Sequence, residues 1–433
     1  MSISDSVKNA GIVGAGGAGF PTHVKINGKA DVVIANGAEC EPLLRVDQQI
    51  MQYFADDIVA GMRAVMEQTS AKRGVIALKS HYHDAVSALK RVLPPDMELL
   101  EMKSFYPAGD EQELVYMVTG NVVPTGGLPL DAGAVVDNVS TLKNIADALK
   151  GIPVTSKFVT VGGAVANPIT VNVPIGTPLS KLIDMAGGTT CACKYILGGP
   201  CMGAVLEDAK GVVTKTTGGL LAIPEGHPLL AKKSPGMDLN RIKAVCCQCS
   251  MCSQMCPRNA MGLNVQPHKA MRSVAFGDLG LLGQSNGIFS CSNCGTCTYF
   301  ACNFGLKPSL IMQAMKAKLM ENGTRAQKEI FGVPDAQKEL KRVPTERLIQ
   351  RLGIKEYDVP APIDLTERDM DTVTIPLRMH IGAPSVPKVA KGDRVSRGDL
   401  IAEIPEGKLG ANIHASITGT VSSVTENEIV IVK

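Results

Sequence analysis

The sequence predicts a multidomain fold of mixed α/β and α+β character: a Rossmann-like α/β domain, a small β-plus-helix module, a helical region organised by cysteines, and an all-β module at the end. Three observations carry this. Strand-like apolar runs alternate with longer helical patterns through residues 30–150, the pattern of a parallel sheet. Nine of the thirteen cysteines fall between Cys246 and Cys302. From Pro376 onward, short β-runs alternate with turns at Gly382, Gly392, Gly398, Gly407 and Gly419.

In the first region the strand candidates are Val32–Ala35, Val75–Leu78, a weaker run at Leu99–Leu100, and Ala134–Val136. Helical patterns occupy about 47–68, 82–93, 110–118 and 140–149. Residues 157–206 read as two strands, Phe158–Val161 and Val171–Val173, then a helix from Pro178, since proline suits a first helical turn. Residues 321–370 are charged, interrupted by prolines and predicted helical. The expected boundaries are 1–152, 153–235, 236–320, 321–372 (a helical connector) and 373–433. For 433 residues, a prior of roughly 150 per domain gives about three domains, and the motifs raise this to four.

Composition excludes several classes. Forty-four basic against 41 acidic residues leave a net charge of +3, too little for a nucleic-acid surface or a polybasic membrane patch. There is no Trp, and aromatics make up 4%, so stacking platforms for single strands are not expected. The start, MSISDSVKNAGIVGAGGAGF, lacks the charged and apolar regions of a signal peptide. The expectation is a reducing cytoplasm with free thiols and no direct membrane insertion.

The cysteines form two motifs. Cys246, Cys249, Cys252 and Cys256, the last followed by Pro257, have the spacing of a bacterial ferredoxin run for a [4Fe–4S] cluster. Cys291, Cys294, Cys297 and Cys302 repeat it with one extra residue in the last gap. Two-residue spacings let three thiolates from one loop reach three corners of a cubane. In two-cluster ferredoxins the fourth comes from the other motif. The expected quartets are therefore Cys246, Cys249, Cys252 and Cys302, and Cys291, Cys294, Cys297 and Cys256. Structural zinc fits less well, because zinc ribbons use paired CxxC units. Cys247 breaks the spacing. Cys40, Cys191, Cys193 and Cys201 have no matching quartet; the Cys191/Cys193 pair is read as small buried thiols, with metal binding as the alternative.

Gly14, Gly16 and Gly19, with Gly17 between, satisfy G-x-G-x-x-G, and Glu39 follows at a Rossmann-like distance. The preceding strand, Gly11–Val13, is too short for the standard motif, and Pro21 stands where its helix should run. What remains is a loop whose free N–H groups can approach a phosphate.

The string Gly11–Thr22 resembles the flavin- and NADH-binding subunit of respiratory complex I and its relative in the Rnf ion-pumping complex. Asn36–Pro42, Tyr106–Glu111 and Asp137–Leu142 resemble further blocks of these families in the same order. Gly162–Pro178 with Leu197–Pro200 is similar to their β-grasp (SLBB) module. His380–Pro384, Lys391–Asp393 and His414–Thr420 resemble the barrel-sandwich module that the Rnf relatives carry at the N-terminus. With that module at the C-terminus, the order looks like that of the cobalamin reductases of propanediol-utilisation microcompartments.

The resemblance implies a flavin-binding α/β domain, a β-grasp module, a two-[4Fe–4S] ferredoxin-like domain and a barrel-sandwich. It implies FMN and two clusters as cofactors, NADH as donor and a corrinoid as substrate. Gly14, Gly16, Gly17, Gly19, Lys25, Asn36, Asn138 and Thr141 would hold FMN, and Tyr106 belongs to the same cofactor site. Glu39, Asp110 and Glu111 would line the nicotinamide side. No residue is assigned a covalent catalytic role. Implied partners are an adenosyltransferase or microcompartment proteins, and a homo-oligomer; the implied location is a bacterial microcompartment. The rivals are an Rnf-like protein feeding ferredoxin or a membrane module, and a non-catalytic electron-transfer adaptor. No D-x-H-x-x-G string offers an axial histidine. Lys408 lacks the flanking methionines of a biotinyl site, so the module is read as unmodified.

Overall fold

The computed structural model describes every residue except Met1 and Met237. Val32–Gly37 (β1) and Arg73–Lys79 (β2) are apolar over most of their length because a parallel sheet buries both strand faces, whereas Met97–Met102 (β3), at the sheet edge, carries the exposed Glu98 and Glu101. A two-residue strand, Phe105–Tyr106 (β4), precedes Ala134–Asn138 (β5). The sheet order is β3-β2-β1-β5, all parallel. The chain therefore leaves β1 on one side, returns, and adds β5 on the other. That reversal creates a switch point between the carboxyl ends of β1 and β5, where open α/β sheets bind ligands.

The predicted helix over 47–68 is two helices, Val46–Tyr53 and Ala55–Thr69, broken at Phe54. The second crosses Val139–Leu149 so closely that a Cβ on Gly61 would lie 1.9 Å from the Leu142 carbonyl oxygen. Substituting Gly61 with alanine is expected to destabilise the domain by at least ~1–3 kcal/mol, the usual cost of overpacking, readable in denaturant unfolding.

The second sheet has the order β12-β7-β6-β10-β8-β9. Its members are Ser156–Gly163 (β6), Ile169–Pro174 (β7), Cys193–Leu197 (β8), Ala204–Leu206 (β9), Gly219–Pro224 (β10) and Ile363–Glu367 (β12). The last strand corrects the reading of residues 321–372 as a helical connector. That segment holds one α-helix, Thr345–Leu352. Around it, Val343–Pro344 (β11) pairs with β4, and β12 pairs with β7. Pro344 caps the start of that helix, while Pro360 and Pro362 keep the chain beyond it out of helix and leave an edge strand.

The cysteine region is built of short helices between Leu239 and Glu321. The C-terminal module consists of two small sheets, with no closed barrel. It packs against the glycine loop: Ile381 N–H donates to the Gly19 carbonyl at 3.0 Å. Lys215 Nζ, buried between the modules, donates to the carbonyls of Gly11 and Asn412 at 2.6 Å each. Among the described residues no helix is long and apolar enough to cross a membrane.

Candidate flavin and iron–sulfur sites

The glycine loop folds over the carboxyl end of β5. Gly14 N–H donates to Phe20 O at 2.9 Å, and Gly19 N–H to Gly14 O at 3.2 Å. Ala15 N–H donates to the buried Thr141 hydroxyl at 2.9 Å, and Ala15 O accepts from Lys157 Nζ at 3.2 Å. A Cβ on Gly16 would meet Asn138 at 3.4 Å, whereas Gly17, at φ +121°, has open space beside it. Among the described residues the N–H groups of Gly16, Gly17 and Ala18 donate to no protein atom. A loop pinned at both ends with free N–H groups between fits a phosphate-bearing cofactor.

The side chains expected beside it serve partly as architecture. Asn138 Oδ1 caps the helix Val139–Leu149 by accepting from Ser140 N–H at 2.9 Å, and its Nδ2 donates to Asp47 at 2.9 Å. Asn36 Nδ2 donates to Gly109 O at 3.0 Å, tying the β1 loop to the block after β4. Lys25 Nζ donates to Glu111 at 2.8 Å and to the Val136 carbonyl, and stands 3.7 Å from Asp137. Burial opposes its charge, yet Asp137 and Glu111 together hold its pKa above the usual lysine range.

Glu39 lies in left-handed backbone at φ +36° and accepts from Asp47 N–H at 2.6 Å. Burial, reinforced by the Asp47 carboxylate, pushes its pKa up to about 8. Burial raises Asp47 to about 6 and lowers Lys157 to about 8. The fold thus binds the Glu39 proton more tightly than the unfolded chain does. That contribution is complete below the ordinary value of 4.5 and is lost as pH climbs through about 8. Glu39→Gln is expected to lose less stability than the parent between pH 5 and 8 in paired urea titrations; equal slopes would contradict the assignment.

Tyr106 and Asp110 stand where the flavin domain meets the cysteines. The buried Tyr106 hydroxyl donates to the Cys294 carbonyl at 2.6 Å and lies 3.2 Å from Glu41. Glu41 in turn accepts from Cys201 and Met202 N–H at 2.8 and 3.0 Å. Asp110, its side chain 2% exposed, forms a two-pronged pair with Arg258 at 2.6 and 2.7 Å. Arg258 also donates to Ser290 O at 3.3 Å, beside Cys291. Sequence reading missed Glu41, Asp47, Lys157 and Arg258. Arg258 directly follows Cys256-Pro257, but nothing in local spacing marks its distant partner.

All thirteen cysteines are unbridged. Cys246, Cys249, Cys252 and Cys302 line one small cavity with His268 and Met271. Burial raises the Cys252 thiol to about 12, with Cys302, Cys246 and Cys249 as its charged neighbours. Cys256 instead faces Cys294 and Cys291. Cys297 faces Cys294, Cys291 and Cys256, and then Cys252 of the other ring. Cys302 follows the π-turn Cys297–Ala301, which spends the extra residue of the second motif. Among the described residues no three such side chains converge tightly enough for a single metal ion. A cubane takes its thiolates on four separate irons. A cleft of about 920 Å³ opens beside the junction, lined by Glu39, Glu41, Arg45, Gln49, His81 and Asp358 among others.

Comparison with known proteins agrees with this geometry. Residues 7–147 match the Nuo51 FMN-binding domain and 158–203 the SLBB domain. Residues 245–307 match a 4Fe-4S dicluster domain and 353–432 the RnfC barrel sandwich hybrid domain. Cobalamin reductase PduS of Salmonella typhimurium is 42% identical over 439 residues, covering 100% of this chain and 96% of the relative. The chain belongs to the cobalamin reductase PduS family. The PduS of Citrobacter freundii is 40% identical, with 100% and 97% covered. A component of the Na(+)-translocating ferredoxin:NAD(+) oxidoreductase complex of Acetobacterium woodii is 37% identical over 61% of this chain and 59% of its own length. The family and fold class read from the motifs therefore hold: the chain is an oxidoreductase whose cofactors are FMN and two [4Fe–4S] clusters.

Proposed function

We propose that this chain is an NADH-dependent cobalamin reductase that passes electrons from NADH through FMN and both clusters to the cobalt of a corrinoid. The observation that carries this reading is the junction at Tyr106 and Asp110. Through it the flavin-domain loops are bonded directly to the backbone around Cys294 and to Arg258 beside Cys256. FMN, when bound, supplies the conversion between hydride and single electrons that iron–sulfur clusters and cobalt need.

The chain's residues position and insulate these carriers. Gly14, Gly16, Gly17 and Gly19 offer backbone to the phosphate. Asn36, Asn138 and Thr141 hold the walls of the flavin site, and Lys25 with Glu111 borders it. Glu39, kept protonated near neutral pH by burial, adds no negative charge there. Asp110 and Tyr106 fix the distance to the cluster formed by Cys256, Cys291, Cys294 and Cys297. The ring of Cys246, Cys249, Cys252 and Cys302 is the second carrier.

End-to-end similarity to cobalamin reductases favours a corrinoid acceptor, since the ferredoxin:NAD(+) oxidoreductase relative matches little more than half the chain. The cleft beside the junction leaves room for a bulky substrate. The family points to a microcompartment setting, with an adenosyltransferase or shell-associated proteins as neighbours and self-association as a further feature. Protein purified without oxygen should carry about eight iron atoms and one FMN per chain, and NADH should bleach the flavin. An iron-free, zinc-loaded product would contradict the reading, and failure to bleach would favour a non-catalytic adaptor.

A further inference from the structure

Cys191 and Cys193 belong to neither ring. Against the expectation of buried thiols, Cys191 is exposed and Cys193 half-buried, with their Sγ atoms 3.7 Å apart. The chain bends over residues 190–192 before Cys193 opens β8. Bonds outside the pair hold that bend. Thr190 N–H donates to Ala164 O at 2.9 Å, and Glu225 N–H to Ala192 O at 3.0 Å. Cys193 then sits in antiparallel register with Pro224 on β10. The backbone on both sides is thus fixed while the two thiols face each other at the surface. Closing to a disulfide bond length of about 2.05 Å requires only a short movement of the side chains.

We propose that Cys191–Ala192–Cys193 is a two-thiol redox site that closes reversibly to an intramolecular disulfide by exchange with low-molecular-weight disulfides. The exposed Cys191 thiolate attacks one sulfur of the oxidant, whose S–S bond breaks and releases one thiol. Cys193 then loses its proton and attacks Cys191 Sγ in the mixed disulfide, forming the internal bond and releasing the second thiol. The two protein thiols give up two electrons and two protons, and the oxidant leaves as two thiols. Burial, with the Cys191 thiol beside it, pushes Cys193 up to about 12, so the exposed Cys191 is the thiol that attacks first. A ring this small at an exposed site is readily reduced again, as strained and exposed disulfides are.

The tryptic peptide Leu182–Lys194 contains these two cysteines and no others, which makes the test direct. Anaerobic holoprotein is equilibrated with oxidised and reduced glutathione in varied ratio, alkylated, digested and weighed. The expected result is a peptide two hydrogens lighter and unalkylated at oxidising ratios, returning to double alkylation at reducing ones with the cluster spectrum unchanged. Cys193→Ser should instead retain one glutathione on Cys191. Double alkylation at every ratio, or no adduct on Cys193→Ser, would overturn the proposal.

Discussion

Replacing Cys256 by serine is expected to abolish the same cluster as replacing Cys294, although the two belong to different sequence motifs. Iron should fall from about eight to about four atoms per chain. NADH should still bleach the flavin, because the glycine loop and its supports are untouched. Corrinoid reduction should collapse: outer-shell changes alone commonly cost about 10–100-fold, and loss of a ligand costs no less. The reason is geometric. Cys256 follows the short helix Met251–Gln254 with its thiol facing Cys294 and Cys291, while Cys302 closes the ring of Cys246, Cys249 and Cys252. Cys302→Ser should therefore remove the signal that Cys249→Ser removes. Paramagnetic resonance of the reduced variants distinguishes the two clusters. Matched losses for Cys256→Ser and Cys249→Ser would show that each motif serves its own cluster.

The second large effect concerns the junction. Asp110→Ala strands the buried Arg258 guanidinium, and removing one partner of a buried pair costs about 3–5 kcal/mol. The loss should appear as a lower denaturation midpoint of the holoprotein under anaerobic conditions. It should also reach the neighbouring cluster, because Arg258 braces the Ser290 carbonyl beside Cys291. Chelators should strip that cluster several-fold faster than in the parent. Asp110→Ala combined with Arg258→Met should recover most of the stability, since two apolar side chains leave no unpaired charge. Unchanged stability in the single variant would mean that the pair contributes nothing.

Much of this architecture was legible because its causes are local. Strands β1 and β2 are readable since both faces are buried, and the cysteine spacings are readable since a cubane demands them. The breaks are not local. The helical pattern runs straight through Phe54, yet its ring packs on Phe158 with centroids 5.7 Å apart and beneath Lys143. Such tertiary contacts end a helix without altering its periodicity. The same holds for residues 321–372, whose charged, proline-interrupted sequence reads as helix while distant strands take β11 and β12 as partners. In the site, the side-chain types are readable from the sequence and their distant partners are not. Asp110 carries a carboxylate, as the family block requires, but only the fold shows Arg258 taking both of its oxygens.

The proposed function fixes an order of electron flow. Anaerobic holoprotein mixed rapidly with NADH and cob(III)alamin should show flavin bleaching first, cluster bleaching next and reduction of cobalt last. Flavin and cluster reduction without any cobalt reduction would contradict it.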